Sequence, residues 1–255
     1  MTEQFLNAQF GLDGRTAIVT GASRGLGRAA ASALSQAGAN IVLVGRDEAE
    51  LKETANLLST KFIIVTADVT VPSDMMTTLK TATDSFGSID ILINNAGIIR
   101  RSPAIAYSGK DWNEVIDTNL NAVFSWAQAV GRLMVEQSSG KIINLASLLS
   151  FGGGLNVSAY AAAKGGVAQL TKALANEWAK YGVCVNAIAP GYIKTDATAA
   201  LRSNAERNQE ILSRIPAGRY GEPDDLAGTV VYLASKASDY MNGHIVVVDG
   251  GFLSY

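Results

Sequence analysis

The sequence predicts a doubly wound α/β protein: a seven-stranded, mainly parallel sheet with helices on both faces. Two observations carry that reading. Short runs of branched residues at 16–20, 41–44, 62–65, 89–93, 141–145, 183–188 and 245–248 are bounded by turn residues and too short for helices. Between them lie segments of helical period, long enough to cross back over a sheet and set successive strands parallel.

The elements follow in order. The first strand, 16–20, runs into a glycine-rich turn and a helix over 27–37. The second ends at Gly45-Arg46, and the fourth runs into Asn94-Asn95-Ala96-Gly97. A long helix is expected over 112–135, then the fifth strand and Ser147, then a helix over 158–180. The sixth strand ends in Pro190-Gly191, and the polar stretch 194–209 after it predicts a mobile lid over about 193–215. With 255 residues and 48% hydrophobic content, the chain can bury one sizeable core, so 1–255 reads as one domain.

A net charge of −2, from 21 basic and 23 acidic residues mixed along the chain, leaves no footprint for nucleic acid or an anionic membrane. The expected partner is a small molecule. Cys184 is alone, which excludes an intrachain disulfide and a cysteine-based zinc site; no metal is expected, and a reducing cytoplasm fits. The first ten residues have neither a basic flank nor a long apolar run, and nowhere do eighteen apolar residues run together, so neither export nor membrane insertion is expected.

Three motifs carry chemistry. Tyr160 and Lys164 are four apart, so on a helix they share a face, and the ammonium can reach beneath the phenol and acidify it. Ser147 precedes Tyr160 by thirteen residues, just after the run Lys141-Ile142-Ile143-Asn144-Leu145-Ala146. In Thr20-Gly21-Ala22-Ser23-Arg24-Gly25-Leu26-Gly27 the glycines let the backbone approach a pyrophosphate, and the next helix points its positive end at it. Singly, the glycines can be turn punctuation, Tyr160 and Lys164 an exposed helix face, and Ser147 a cap. Their joint occurrence points to a site.

Together Gly21-x-x-x-Gly25-x-Gly27, Asn94-Asn95-Ala96-Gly97, Ser147 and Tyr160-x-x-x-Lys164 resemble the short-chain dehydrogenase/reductase family, with its Rossmann-type fold, over about residues 14–251. The resemblance implies an NAD(P)-dependent oxidoreductase with a catalytic tetrad of Asn119, Ser147, Tyr160 and Lys164, Asn119 fixing a water beside Lys164. It implies a dinucleotide site at Gly21, Ser23, Arg24, Gly25, Leu26 and Gly27. It places Asp68 and Val69 at the adenine and Asn95, Ala96 and Gly97 under the ribose. Tyr160 and Lys164 would meet the nicotinamide ribose, with Pro190, Gly191, Ile193 and Thr195 bracketing the nicotinamide. Asp68 can equally cap a helix beginning near Pro72. Family members usually form tetramers, so a homotetramer is expected through helices 112–135 and 158–180 and the C-terminal segment. The apolar tail 249–255 is read as buried at a subunit interface.

Reducing a carbonyl takes a hydride on carbon, which the nicotinamide supplies, and a proton on oxygen, which falls to Tyr160. A free phenol titrates near about 10, so the Lys164 charge is needed to favour phenolate, while Ser147 polarises the substrate oxygen. The single histidine, His244, stands far in sequence from Ser147, which disfavours a Ser/His hydrolase. Gly152-Gly153-Gly154 lacks the Lys-Ser/Thr of a phosphate loop and instead frees a substrate loop.

An acid after the second strand would bind ribose hydroxyls and a base a 2′-phosphate. Here Gly45 stands where NAD-preferring relatives carry Asp, and Arg24 and Arg46 can flank a phosphate, although Asp47 would repel one. NADP(H) is the expected preference, with NAD(H) possible. Arg100 and Arg101, just beyond the fourth strand, can each pair bidentately with a carboxylate, and Arg219 and Lys194 are expected to add positive field. Leu149 completes the substrate residues with Ser147 and Tyr160.

The segments 97–101, 146–151, 175–180, 186–192 and 215–219 resemble the 2-deoxy-D-gluconate 3-dehydrogenase / 2-dehydro-3-deoxy-D-gluconate 5-dehydrogenase branch. Its members act on sugar acids from pectin or alginate breakdown, which implies a carboxylate-bearing sugar here. The branch is commonly associated with NAD, from which Gly45-Arg46 departs. Two alternatives stand beside it: a 3-oxoacyl-carrier-protein or general ketone reductase, and a non-catalytic NADPH-binding regulator, which a broken tetrad would mark.

Overall fold

A computed structural model of the chain describes residues 2–254. The seven expected strands form as β1 (Thr16–Thr20), β2 (Asn40–Gly45), β3 (Phe62–Thr66), β4 (Ile91–Asn94), β5 (Gly140–Leu145), β6 (Val183–Pro190) and β7 (Ile245–Val248). They make one sheet in the order β3-β2-β1-β4-β5-β6-β7, with every pairing parallel. The helices are α1 (Glu3–Phe10), α2 (Gly25–Gln36), α3 (Glu48–Ala55), α4 (Pro72–Phe86), α5 (Gly109–Ile116), α6 (Ala122–Gln137), α7 (Ser158–Trp178), α8 (Asp196–Ser203), α9 (Ala205–Ser213) and α10 (Ala227–Ala234).

β1 and β6 are buried at every residue, which is why the strands read as branched runs instead of alternating patterns. On one face α2, α3 and α10 close over Val19, Leu34, Leu43 and Leu233; on the other α4, α6 and α7 close over Leu92, Trp126, Met134 and Val185. Trp126 is 1% exposed, and burying a side chain of this size contributes about 3 kcal/mol. Its indole Nε1 still donates to the Val69 carbonyl at 3.1 Å, so burial costs no hydrogen bond. The chain order reverses at β1, which has β2 on one side and β4 on the other. A reversal of this kind opens a crevice at the carboxyl ends of the strands, where the loops after β1 to β6 carry most of the expected site residues.

Three features differ from the sequence reading. β4 begins two residues late because Asp90 is committed to Arg15 Nη1 at 2.8 Å and the Thr16 amide at 2.9 Å, ahead of the ladder. The helix expected over 112–135 divides into α5 and α6 around a π-helical turn, Asp117–Asn121, a rare geometry concentrated at functional sites. α1 has no buried residue, so no apolar period announces it; the Thr2 hydroxyl starts it by accepting from the Phe5 amide at 3.3 Å. Within the tail, Phe252 packs on its own chain, its ring 5.3 Å from that of Tyr192. The expected lid is built from α8 and α9. Among the described residues no helix is long and apolar enough to cross a membrane.

Candidate active site

Arg24, the N-cap residue of α2, makes no side-chain cap, so the first amides of that helix keep their hydrogen-bonding capacity for a ligand. The turn before it is held rigidly. Asn95 Nδ2 donates to the Thr20 and Gly21 carbonyls at 2.9 and 3.0 Å, and the Thr20 hydroxyl accepts from the Asn95 and Ala96 amides at 3.0 and 3.1 Å. From the other side, Thr54 donates to the Ala22 carbonyl at 2.9 Å and Arg28 Nε to the Ser23 carbonyl at 3.1 Å. Gly27 permits this closeness: a Cβ there would stand 2.1 Å from the Gly21 oxygen and 2.5 Å from Asn95 Nδ2.

Gly45, Arg46 and Asp68 line the far end of the same cleft. Arg46 Nη1 lies 3.7 Å from Asp68 Oδ2, and Arg24 Nη1 lies 3.0 Å from Asp196 Oδ2, both guanidiniums being exposed. Asp47, expected to repel a phosphate, is instead the cap of α3 and accepts from the Glu50 amide at 3.1 Å. Nor does Asp68 cap α4: it accepts from the Thr70 amide and hydroxyl at 2.9 and 2.7 Å. Burial pushes this carboxyl up, but the Thr70 bonds and the Arg46 charge outweigh it and hold it below its usual value.

At the other end, Ser147 follows β5 and its hydroxyl accepts from the Leu149 amide at 3.2 Å. Tyr160 and Lys164 occupy the first turns of α7, with Lys164 Nζ 5.7 Å from the Tyr160 ring centroid. Lys164 is 3% exposed and donates to the Leu145 carbonyl at 2.5 Å. Burial pushes the Tyr160 phenol above its usual value, opposed by the Ser147 hydroxyl and the Arg101 charge. Arg101 therefore adds an acidifying charge, while the Lys164 ammonium is anchored on the Leu145 carbonyl 5.7 Å from the Tyr160 ring centroid.

Asn119 is fully engaged through its side chain. Both its amide protons go to backbone carbonyls, Ile98 and Val115, each at 2.9 Å, and its oxygen accepts from the Ile98 amide at 3.0 Å. The side chain is a strut between the π-helical turn and the loop after β4. Gly97 makes room for it, since a Cβ there would lie 2.5 Å from Asn119 Oδ1.

All these parts face one cleft of about 1050 Å³, lined by every expected site residue except Gly27, which is buried beneath it. The cleft runs from Arg46 past the glycine turn to Tyr160 and Pro190, and it fits an extended dinucleotide with a small substrate beyond. Of the arginines expected at the substrate, Arg100 is committed to Glu114 through Nη2 at 2.8 Å and Nε at 3.1 Å. Arg101 is exposed and donates to the Ala197 carbonyl of α8 at 3.3 Å. The field expected from Arg219 and Lys194 is not delivered here: Arg219 grips Asp225 at 2.7 and 3.0 Å, Lys194 binds Glu222, and neither lines the cleft.

A family model described as enoyl-(acyl carrier protein) reductase matches residues 21–253. The chain belongs to the short-chain dehydrogenase/reductase family. It is 48% identical over 247 residues to the 2-dehydro-3-deoxy-D-gluconate 5-dehydrogenase of Escherichia coli K12, covering 96% of this chain and 98% of that protein. An Agrobacterium tumefaciens structure described as a 2-deoxy-D-gluconate 3-dehydrogenase with bound NADP is 48% identical and superimposes with a TM-score of 0.88, covering 96% of this chain and 99% of that one. A gluconate 5-dehydrogenase from Burkholderia cenocepacia J2315, in complex with NADP and tartrate, is 39% identical with a TM-score of 0.91, covering 98% and 99%.

In this short-chain dehydrogenase/reductase, sequence reasoning missed two groups. Arg28 and Thr54 brace the glycine turn, and only tertiary proximity reveals them. Arg207 and Arg214 bring lid-side cations to the cleft; their spacing of seven, two helical turns, was the one signal of a shared face.

Lys164 gives the enzyme a measurable pH dependence. Burial lowers it from 10.5 to about 8. Below that value it is charged folded and unfolded, and the full cost of burial is present. Between about pH 8 and 10.5 only the unfolded chain still holds the proton, so stability rises with pH. Urea unfolding of wild type and Lys164→Met is expected to show their difference shifting towards wild type by on the order of 3 kcal/mol over that range. A difference that stays flat would show that Lys164 keeps its ordinary basicity.

Proposed function

We propose that this enzyme transfers a hydride between NADP(H) and a ketone or secondary alcohol of a sugar acid, a deoxy-keto-gluconate or keto-uronate of the kind released from pectin or alginate. The observation that carries it is the convergence of Ser147, Tyr160, Lys164 and Arg101 in one cleft. The names of the three relatives described above, each a dehydrogenase of gluconate or a deoxygluconate, support the substrate class.

Bound nicotinamide supplies the hydride. Tyr160 gives its hydroxyl proton to the substrate oxygen in reduction and takes it back in oxidation. Ser147 orients and polarises that oxygen, and the Arg101 guanidinium stabilises the phenolate that burial disfavours. Lys164 holds the nicotinamide ribose from its buried position, and Asn119 keeps the loop after β4 at its distance from α7. Arg24 and Arg46 take the 2′-phosphate by exchanging their present carboxylate partners. Each of those exposed pairs is worth no more than about 1 kcal/mol, so the exchange is cheap. Gly45 leaves room there, and Asp47 is turned to α3.

On the same reading the chain is one domain whose lid, 193–215, closes on the substrate. It works as a cytoplasmic homotetramer, for which the 40%-exposed Trp112 of α5 and 42%-exposed Phe124 of α6 provide an apolar face, and the buried free thiol of Cys184 suits that compartment.

The test is initial rates of NADP⁺ and NAD⁺ reduction with 2-dehydro-3-deoxy-D-gluconate, and of NADPH and NADH oxidation with the keto-uronate from exhaustive alginate or pectin lyase digestion. An acetoacetyl thioester serves as comparator, and gluconate with NADP⁺ gives the reverse direction. Turnover of a sugar acid with NADP(H) ahead of NAD(H) is the expected result. Turnover of the thioester alone would sink the proposal in favour of acyl-chain reduction.

A further inference from the structure

Resting on the sugar-acid reading, we infer that Arg214, stacked on the C-terminal Phe252, is the residue that selects the substrate's carboxylate. The cations of the cleft divide by what they already hold. Arg24, Arg46, Arg100 and Arg207 are each ion-paired to a carboxylate. Lys164 and Arg101 donate to backbone carbonyls. Arg214 alone, among the described residues, lines the cleft with neither an ion pair nor a side-chain hydrogen bond.

Nor is it left without support. Its guanidinium carbon lies 4.3 Å from the Phe252 ring centroid. A cation held over an aromatic face spends no hydrogen bond on a carboxylate or carbonyl, which leaves its N–H donors for a carboxylate that the guanidinium fork can meet bidentately. The platform is fixed in turn: Asp249 accepts from the Gly251 and Leu253 amides at 2.8 Å each, and Phe252 packs on Tyr192. Arg214 follows the last residue of α9, so the cation arrives with the lid while its platform belongs to the turn after β7.

This assigns separate tasks to two arginines. Arg101 acts on the reacting end through Tyr160, and its loss should slow charged and neutral substrates alike. Arg214 reads charge, and its loss should affect only the acid. The experiment compares 2-dehydro-3-deoxy-D-gluconate and gluconate, each against its neutral amide, in wild type, Arg214→Ala, Arg214→Lys and Phe252→Leu.

Arg214→Ala is expected to raise KM for the acids about tenfold or more, with kcat and the amide KM unchanged within about twofold. The lysine variant should recover part of the preference, and Phe252→Leu should lose part of it. An Arg214→Ala enzyme that slows acid and amide equally, or that keeps the wild-type preference, overturns the inference while the proposed function stands. A wild type that turns over acid and amide equally well does the same. A wild type inert towards every sugar acid overturns the proposed function and this inference with it.

Discussion

Tyr160→Phe is expected to lower turnover of a sugar acid about 10³-fold, within the range a positioned general acid contributes. The substitution keeps the ring and its packing and removes only the hydroxyl, so Ser147, Lys164 and Arg101 stay in place around the gap. NADP(H) binding, followed by calorimetry, should therefore change by less than about twofold. The pH dependence sharpens the test. Burial holds the wild-type phenol above its ordinary range against the pull of Ser147 and Arg101, so alcohol oxidation, which needs the phenolate, should climb with pH through neutrality and beyond. In the phenylalanine variant the residual rate should lose that climb. A variant that retains wild-type turnover removes Tyr160 as the acid, and one that loses nucleotide binding as well shows a structural role instead.

Gly27→Ala should be the most damaging single methyl in the fold. The new Cβ would lie 2.1 Å from a backbone oxygen and 2.5 Å from Asn95 Nδ2, so no flexible side chain can swing away to admit it. α2 must move off the glycine turn, and the Asn95 bonds to Thr20 and Gly21 stretch with it. Overpacking of this kind costs about 1–3 kcal/mol before the hydrogen bonds are counted, which lowers Tm by roughly 5–10 °C in a domain of this size. Nucleotide Kd should rise at least about tenfold, since the helix amides no longer meet the cleft in register. Gly228→Ala, in α10 with open space around the added atom, is the control: it should leave Tm undiminished and nucleotide binding unaltered. Equal behaviour of the two variants would refute the close approach at Gly27.

The parts of this protein legible in the sequence are those that local geometry dictates. Tyr160 and Lys164 had to be four apart to share a helix face, and the glycines had to sit between a strand and a helix. The strands announced themselves because β1 and β6 are buried on both sides and admit little but branched residues. What could not be read is which partner each charge finds. Arg100 and Arg101 are adjacent and alike in sequence, yet Glu114 of α5 captures the first and leaves the second in the cleft on the Ala197 carbonyl. Asp47 and Asp68 looked like a phosphate's opponent and a helix cap, and became a helix cap and an acceptor for Thr70. Asn119 could be placed at the site but not given its bonds, because the π-helical turn that sets them has no distinct residue pattern. Arg214 was invisible until Phe252 folded back beneath it.

The strand order has a consequence for how such a molecule is made. From β5 onward each strand pairs with the one synthesised just before it, so a chain leaving the ribosome can extend its sheet one strand at a time. The β3 edge is set early and from β4 onward the sheet grows at its other edge alone, which confines the changing template offered to neighbouring nascent chains to that side. The order also separates two capabilities in time. The glycine turn acquires its Asn95 lock as soon as β4 has emerged, whereas Lys164 cannot reach the Leu145 carbonyl until β5 and the start of α7 exist. A half-made molecule is thus a nucleotide cradle before it has any means of moving a proton.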